Sequence, residues 1–372
     1  MSSFEKKRML FVINSLGGGG AERVTVNLIN YLKDKYDILL VLLTDKRDCQ
    51  YDLHNSIRVV CLCKKKGTDF FKAMFKLRRE LKAYRPDVVI SFEYFVNILT
   101  VIASSFFGRG FKLILSERNY PREYLLSDRL GRLRKWLMIV TYQRADKIIS
   151  VTKSIEMVLK KDFNISSQKL KTIYNPILIE KIIMESEGKL VHPFFEGNNS
   201  QIIISVGRLT AQKRIDRLLR AVSILKKKLD NVCLIVLGQG ELQKDLENLA
   251  VELRINNIVD FVGFQSNPYK WIAKSDIFVL SSDFEGFPNV LLEAMACGVP
   301  VVSTACPSGP GELITNGKNG ILVPLANEKA LAEAMHRLLK NENLRKEFSE
   351  EGKRRAEDFR VEKIVAEYEQ LF

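Results

Sequence analysis

A chain of 372 residues, 46% hydrophobic and 27% charged, is long enough for two ordinary domains, and its composition excludes a disordered or fibrous protein. Its net charge of +14 is placed unevenly: residues 1–200 carry 35 Lys and Arg against 21 Asp and Glu, whereas residues 201–372 carry 23 against 23. The excess therefore describes a partner of the first half rather than general solubility.

In chain order, Arg8–Asn14 reads as a short apolar strand running into Leu16-Gly-Gly-Gly-Gly20. Ala21–Lys33 then has helical spacing, with Val24, Leu28, Ile29 and Leu32 on one face. Further strands are expected at Ile38–Leu43, Val88–Ser91, Lys112–Ser116, Lys147–Val151 and Leu170–Tyr174, with helices between most of them. Residues 177–199 read as irregular and end in Glu196-Gly-Asn-Asn-Ser200, a linker composition. The pattern restarts with strands at Gln201–Val206, Val232–Leu237, Ile258–Val262, Asp276–Leu280 and Val299–Ser303, and becomes helical from about Asn327, with breaks near Asn341 and Arg360. Strands alternating with helices imply two α/β domains, each a doubly wound, mainly parallel sheet. The expected boundaries are a first Rossmann-like domain over 1–176, a linker over 177–200, a second Rossmann-like domain over 201–357, and a C-terminal helix over 358–372 that packs back on the first domain.

Several chemistries are disfavoured. Met1–Arg8 is charged and the apolar run Met9–Ile13 is short, so no secretory signal is expected. The longest weakly charged stretch, Tyr94–Phe107, is too short to span a bilayer. Six cysteines, at 49, 61, 63, 233, 297 and 306, form no C-x-x-C pair and read as free, buried thiols in a reducing compartment. His54, His192 and His336 lie far apart, which argues against a zinc site or a His-centred triad, and no Asp-x-Asp is available to hold a metal on a diphosphate. No metal or other cofactor is expected.

The informative residues follow predicted strands, where doubly wound sheets bind ligands. In Glu285-Gly-Phe-Pro-Asn-Val-Leu-Leu-Glu293, two carboxylates flank a turn and a helix start, placed to accept hydrogen bonds from ligand hydroxyls while the helix amides face an anion. Glu293 lies in an apolar helix, where a carboxylate requires a partner. Arg208 and Lys213, in Gly207-Arg-Leu-Thr-Ala-Gln-Lys213, supply a fork and a point charge for a diphosphate without a metal. Arg214, Arg217 and Arg220 read as the solvated face of the next helix. Gly238-Gln-Gly240 and Gly263-Phe264 read either as plain turns or as places where backbone approaches a ligand. The Gly17–Gly20 run does not fit G-x-G-x-x-G, since Glu22 and Arg23 fall near its end. Phosphates beside many hydroxyls describe a sugar nucleotide.

Gly-Arg-x4-Lys, Gly-x-Gly, Val-Gly-Phe and Glu-Gly-Phe-Pro-x4-Glu, in this order, resemble the retaining family-4 glycosyltransferases of the GT-B fold, in which two Rossmann-like domains face each other across a cleft. The likeness covers essentially the whole chain and is strongest from Ile202 to Pro324; Gly-Gly-Ala-Glu-Arg at 19–23 is similar to bacterial members that build lipid-linked glycans. The resemblance implies that Arg208 and Lys213 hold the donor diphosphate and that Glu293 binds the ribose. It further implies that Glu285, with the Gly286 and Phe287 amides, holds the transferred sugar. Asn289 and Val290 would offer amides to the phosphates. Val262, Gly263 and Phe264 would flank the base, Gly207 and Gly238 would line the donor site, and Gly18 and Gly19 would close over it. Many relatives carry a His after an N-domain strand; here Ser116-Glu-Arg-Asn119 stands there, so Glu117, Arg118 or Asn119 is expected on the acceptor or sugar side. A UDP-sugar epimerase of the same fold and a basic non-enzymatic binding protein are the alternatives.

The basic half contains two segments that mix aromatics with cations. Lys64-Lys-Lys66 precedes Asp69–Arg85, where Phe70, Phe71, Met74, Phe75 and Leu81 alternate with Lys72, Lys76, Arg78, Arg79 and Lys82. In Glu123–Arg144, Leu126, Leu130, Leu133, Trp136, Leu137 and Val140 stand beside Arg129, Arg132, Arg134, Lys135 and Arg144. Each reads either as a packing helix with a solvated face or as a surface lying on an anionic bilayer. With the resemblance, the expectation is a UDP-sugar donor, a glycan or lipid-pyrophosphate acceptor, and a peripheral position on the inner face of the cytoplasmic membrane. No nucleic-acid module is visible.

Overall fold

The computed structural model describes residues 6–17, 19–45, 53–63, 69–105, 110–126, 130–196 and 200–372, excepting the side chains of residues 124 and 126. Two compact units are present: the first comprises Met1–Pro176 and Val361–Phe372, the second Ile177–Arg360.

The first unit is built on β1 (Arg8–Ile13), β2 (Asp37–Leu42), β3 (Arg58–Cys61), β4 (Val88–Phe92), β5 (Lys112–Glu117), β6 (Lys147–Ser150) and β7 (Leu170–Thr172). They form a parallel seven-stranded sheet in the order β3-β2-β1-β4-β5-β6-β7. The helices are α1 (Gly20–Leu32), α2 (Phe70–Tyr84), α3 (Tyr94–Ser104), α4 (Pro121–Leu126), α5 (Gly131–Tyr142) and α6 (Lys153–Asp162). Strands such as Val88-Val-Ile-Ser-Phe92 are buried along their whole length, as expected where helices cover both faces of a sheet. Edge strand β3 escapes the hydrophobic pattern because it is four residues long and partly exposed.

The second unit contains α7 (Ile179–Ser186), β8 (Gln201–Val206), α8 (Ile215–Lys226), β9 (Val232–Leu237), α9 (Gln243–Glu252), β10 (Val259–Gly263), α10 (Tyr269–Ile272) and β11 (Ile277–Leu280). It continues with α11 (Asn289–Ala296), β12 (Val301–Thr304), α12 (Pro310–Leu313), β13 (Ile321–Val323), α13 (Glu328–Lys340) and α14 (Glu342–Ala356). The six-stranded sheet is parallel, in the order β10-β9-β8-β11-β12-β13. The three-residue strand β13 is absent from the sequence reading because so short a run carries no period.

The irregular linker expected over 177–200 contains a helix among its described residues. Ile179–Ser186 is the helix α7, which buries Ile179 and Ile182 and packs on α10 and α11 within the second unit. His192 fastens the following segment: its Nε2 lies 2.7 Å from Asp260 Oδ2, and its ring meets Trp271 edge-on. The last helix, α15 (Val361–Glu369), belongs to the first unit, where it buries Val361, Ile364, Val365 and Tyr368. Capping explains the break before α14: Asn341 ends α13 and its side chain accepts from the Leu344 amide.

The cysteines also differ from expectation. All five described ones are free, but Cys63 is exposed and Cys61 and Cys297 are half-buried. Cys63 takes a left-handed conformation (φ 53°) that turns it out at the sheet edge, with its Sγ 3.6 Å from that of Cys61. Cys49 lies outside the described residues.

Candidate functional site

In both sheets the strand order reverses beside the first strand, between β1 and β4 in one unit and between β8 and β11 in the other. Loops leaving the carboxyl ends there splay apart and leave a crevice for a ligand. In the second unit those loops are Gly207–Lys213, after β8, and Ser281–Pro288, after β11.

Gly207, Arg208, Lys213, Glu285, Gly286 and Phe287 lie on these loops. The Lys213 Nζ lies 2.6 Å from Glu285 Oε1, which also accepts from Ser282 Oγ at 2.6 Å. Glu285 is 6% exposed, so its charge is compensated by one cation and one hydroxyl. Two backbone-linked contacts hold the loops together: the Gln212 side chain donates to Phe284 O at 2.8 Å, and the Asp283 amide donates to Gln212 O at 2.9 Å. Arg208 is exposed and forms no ion pair among the described residues. The two cations assigned to one diphosphate thus differ: Lys213 is engaged with the carboxylate assigned to the sugar, and Arg208 is available.

Arg214 and Arg217 do not form a solvated face. Arg214 Nη1 lies 3.1 Å from Asp283 Oδ2, Arg217 pairs with the other oxygen of Asp283, and Arg214 also holds Asp216 at 2.7 Å. The Arg214 hydrogen bond holds the Asp216 carboxyl below its ordinary range. Arg214 itself adopts φ 48°, a left-handed turn between the short helix that ends at Lys213 and α8. These ion pairs offset that strain and brace the turn that aims Lys213. Arg220 is exposed, as expected.

Glycines let the loops close on one another. A β-carbon at Gly238 (φ +131°) would stand 1.9 Å from Gly207 O, and one at Gly240 would stand 2.2 Å from Leu209 O. Gly238 and Gly240 therefore allow backbone-to-backbone packing of the β8 and β9 loops, and a β-carbon at Gly207 would stand 3.3 Å from the Lys213 side chain. Gly263 (φ +81°) follows a register shift in β10, accepts from the Gly238 amide at 2.8 Å, and leads into the exposed ring of Phe264; Val262 is half-buried.

Helix α11 begins directly after the Glu285 turn, with no side-chain cap and no acidic residue in its first turn, so its positive end is uncompensated by its own sequence. The Asn289 amide donates to Phe287 O at 3.0 Å, whereas the Gly286 and Val290 amides have no backbone acceptor among the described residues. Phe287 is buried against Phe359. Glu293 is 2% exposed on this helix, as its apolar surroundings implied. Beneath the turn, Ser308 Oγ donates to Gly286 O at 3.1 Å, and Gly309 (φ +91°) leaves room for the Pro288 ring. Burial, followed by the charge of Glu285, pushes the nearby Cys306 thiol up to about 12.

Sequence reasoning missed Ser282, Asp283 and Ser308. Their types are common in loops, and nothing in one dimension ties them to Glu285, Arg214 and Gly286.

In the first unit, Gly19 caps α1 in an extended conformation, and the Glu22 carboxylate folds back to where a Gly19 β-carbon would stand. The positive end of α1 thus carries its own counter-charge. Gly18 lies outside the described residues. After β5, the candidates Glu117, Arg118 and Asn119 separate. Glu117 is fully buried and accepts from Tyr142 Oη at 2.7 Å; Arg118 is buried beside Phe92; Asn119 is exposed. The buried carboxylate is what raises the Tyr142 hydroxyl, after burial itself.

Each basic segment leaves some of its large apolar side chains exposed. Phe71 and Phe75 are exposed on α2, and Leu130, Leu133, Trp136 and Val140 are exposed on or just before α5, beside exposed Arg132 and Lys135. Both helices flank α3. Lys64–Lys66 and Arg129 lie outside the described residues, as does the side chain of Leu126. Among the described residues no helix is long and apolar enough to cross a membrane.

Comparison with known proteins accords with this arrangement. Residues 18–181 match the model of Glycosyltransferase Family 4, and residues 191–355 that of Glycosyl transferases group 1. One Campylobacter jejuni relative is N-acetylgalactosamine-N,N'-diacetylbacillosaminyl-diphospho-undecaprenol 4-alpha-N-acetylgalactosaminyltransferase, 33% identical over 361 residues that cover 95% of this chain and 96% of that one. A second, from the same organism, is a GalNAc-alpha-(1->4)-GalNAc-alpha-(1->3)-diNAcBac-PP-undecaprenol alpha-1,4-N-acetyl-D-galactosaminyltransferase, 31% identical with 98% of both chains covered. Anabaena HepE, solved with UDP, superposes with a TM-score of 0.81 at 19% identity over 98% of each chain, which bears on the fold alone. With 33% identity to a glycosyltransferase along nearly the whole of both chains and the two family domains in succession, this chain belongs to the family-4 glycosyltransferases of the GT-B fold.

Proposed function

We propose that the enzyme transfers an N-acetylhexosamine, N-acetylgalactosamine in the first instance, from a UDP-linked donor to a glycan carried on a lipid diphosphate, without a metal and with retention at the anomeric carbon. The observation that carries this reading is the group at the reversal point of the second sheet: exposed Arg208, the Lys213–Glu285 pair and the uncapped start of α11. Arg208 and the helix amides supply positive charge where a departing UDP builds up negative charge. Glu285, fixed by Lys213 and Ser282, presents a carboxylate to sugar hydroxyls, and buried Glu293 stands one helical stretch further on for the ribose. The names of the Campylobacter relatives support N-acetylgalactosamine and an undecaprenyl-diphosphate acceptor.

The exposed Phe71, Phe75, Leu133 and Trp136, set among cations, support a peripheral position on an anionic membrane, where such an acceptor resides. The test is release of UDP from UDP-N-acetylgalactosamine with and without an undecaprenyl-diphosphate-linked N-acetylgalactosaminyl glycan. Acceptor-dependent release that survives EDTA, with an α-linked product, is expected. Interconversion of the UDP-sugar without acceptor would identify an epimerase, and an intact donor under every condition would leave a binding protein.

A further inference from the structure

We propose that Glu285 competes with the donor diphosphate for Lys213, so that the Lys213–Glu285 pair loosens the enzyme's hold on spent UDP. This role rests on the glycan-transfer reading above and concerns how that same site lets its product go.

Lys213 Nζ lies 2.6 Å from Glu285 Oε1, with both side chains largely buried. The stem of Lys213 runs over Gly207, where a β-carbon would stand 3.3 Å from Lys213 Cε. The stem therefore lies along the loop that carries Arg208, which is exposed and forms no ion pair among the described residues. A diphosphate docked on Arg208 draws on the same ammonium group that Glu285 holds. The Lys213 backbone is pinned on both sides: its amide donates to Thr210 O at 3.1 Å, and its carbonyl accepts from Ser281 Oγ at 2.8 Å. The charge can thus change partner by rotation of its flexible four-carbon stem, without motion of the loop.

Glu285 has a second donor to fall back on. Ser282 Oγ donates to the same Oε1 at 2.6 Å. Ser282 is fully buried, and its own carbonyl accepts from Thr304 Oγ1 at 2.6 Å. Glu285 therefore keeps its place when Lys213 turns to a phosphate, but a buried carboxylate left with one hydroxyl is undercompensated. With the intact donor, hydroxyls of the sugar make up the deficit. With UDP alone nothing does, and Glu285 draws Lys213 back. The pair penalises UDP more than the UDP-sugar, and that difference is what favours exchange of product for donor.

The test measures the Kd of UDP by calorimetry for the parent enzyme, Glu285→Gln and the double variant Lys213→Gln/Glu285→Gln, with inorganic pyrophosphate as a second probe. Glutamine keeps the size of Glu285 and ends its claim on Lys213. Glu285→Gln is expected to bind UDP and pyrophosphate about tenfold more tightly than the parent, the size of one charge-assisted hydrogen bond, with a smaller gain for UDP-N-acetylgalactosamine. The double variant carries neither charge and is expected to lose that gain. Unchanged or weaker UDP binding by Glu285→Gln would overturn the proposal. An equal gain in the double variant would also overturn it, because simple repulsion between Glu285 and the diphosphate would then suffice. If Glu285→Gln does not fold, Ser282→Ala decides: with the second donor gone, Glu285 holds Lys213 harder, and the Kd of UDP should rise about threefold or more. An unchanged Kd in that variant is the contrary result. A parent enzyme that neither binds UDP nor transfers sugar would remove the transfer reading as well, whereas a parent that transfers normally beside a Glu285→Gln variant no tighter for UDP overturns this role alone.

Discussion

Arg208 and Lys213 look equivalent as letters, and the structure separates them. Lys213 compensates a buried carboxylate, so removing it strands Glu285; Lys213→Ala is expected to cost about 2–4 kcal/mol in urea unfolding. Arg208 is exposed, so Arg208→Ala should shift stability by no more than about 0.5 kcal/mol while lowering turnover about tenfold or more. Equal stability losses in the two variants would contradict this division. Thiol chemistry offers a second check at this scale. Burial raises Cys297 and Cys306 to about 12, whereas Cys63 is exposed. Iodoacetamide at pH 8 should therefore label Cys63 first among the five described cysteines, and Cys297 and Cys306 only after unfolding; early labelling of Cys306, read by peptide mass, would contradict its placement.

Whole elements act as braces or as surfaces. The turn into α8 is held by Arg214, Asp216, Arg217 and Asp283. Because Asp216 titrates below its ordinary range when folded, its stabilisation is complete above the unfolded carboxylate pKa of about 4 and is lost as pH falls through the lower folded value. Asp216→Asn should therefore narrow the stability gap between pH 6 and pH 3, seen as a smaller acid-induced drop in Tm than in the parent. Helices α2 and α5 expose Phe71, Phe75, Leu133 and Trp136 to water, a cost borne without packing benefit. Changing Leu133 and Trp136 to Gln should leave Tm within a degree or two and weaken binding to anionic vesicles, while Arg132→Gln and Arg134→Gln should weaken it most at low salt. Unchanged vesicle binding in both sets would remove the membrane surface from the account.

At the scale of the molecule, the chain returns to its first unit after completing the second. Tyr36 Oη and Lys35 Nζ both meet Glu369 Oε1, at 2.9 and 2.6 Å, and Tyr368 is buried against Arg118. Ending the chain at Arg360 would remove Ile364, Val365, Tyr368 and Leu371, all buried, and expose the surface they cover in the first unit. At roughly 1.5–3 kcal/mol for each large apolar side chain, that loss approaches the stability of an ordinary domain. The truncated protein should melt in two steps by calorimetry, with the first unit unfolding earlier; a single unshifted transition would be the contrary result.

Hydrophobic periodicity was sufficient to place the long buried strands, the two-sheet α/β architecture and the helical stretch from about Asn327, since a strand covered on both faces must be apolar throughout. The placement of Arg208, Lys213 and Glu285 on loops that follow strands was likewise readable, because each comes just after an apolar run long enough to be a buried strand. Packing across the sheets was not readable. Helix α7, the edge strands β3 and β13, the pairing of Lys213 with Glu285, the brace on Asp283 and the packing of Arg118 on Tyr368 depend on residues tens of positions apart in the chain meeting in space. Local sequence fixes which conformations and charges are available; burial and long-range hydrogen bonding determine which charge is neutralised, which stays available and which side chain is held under strain.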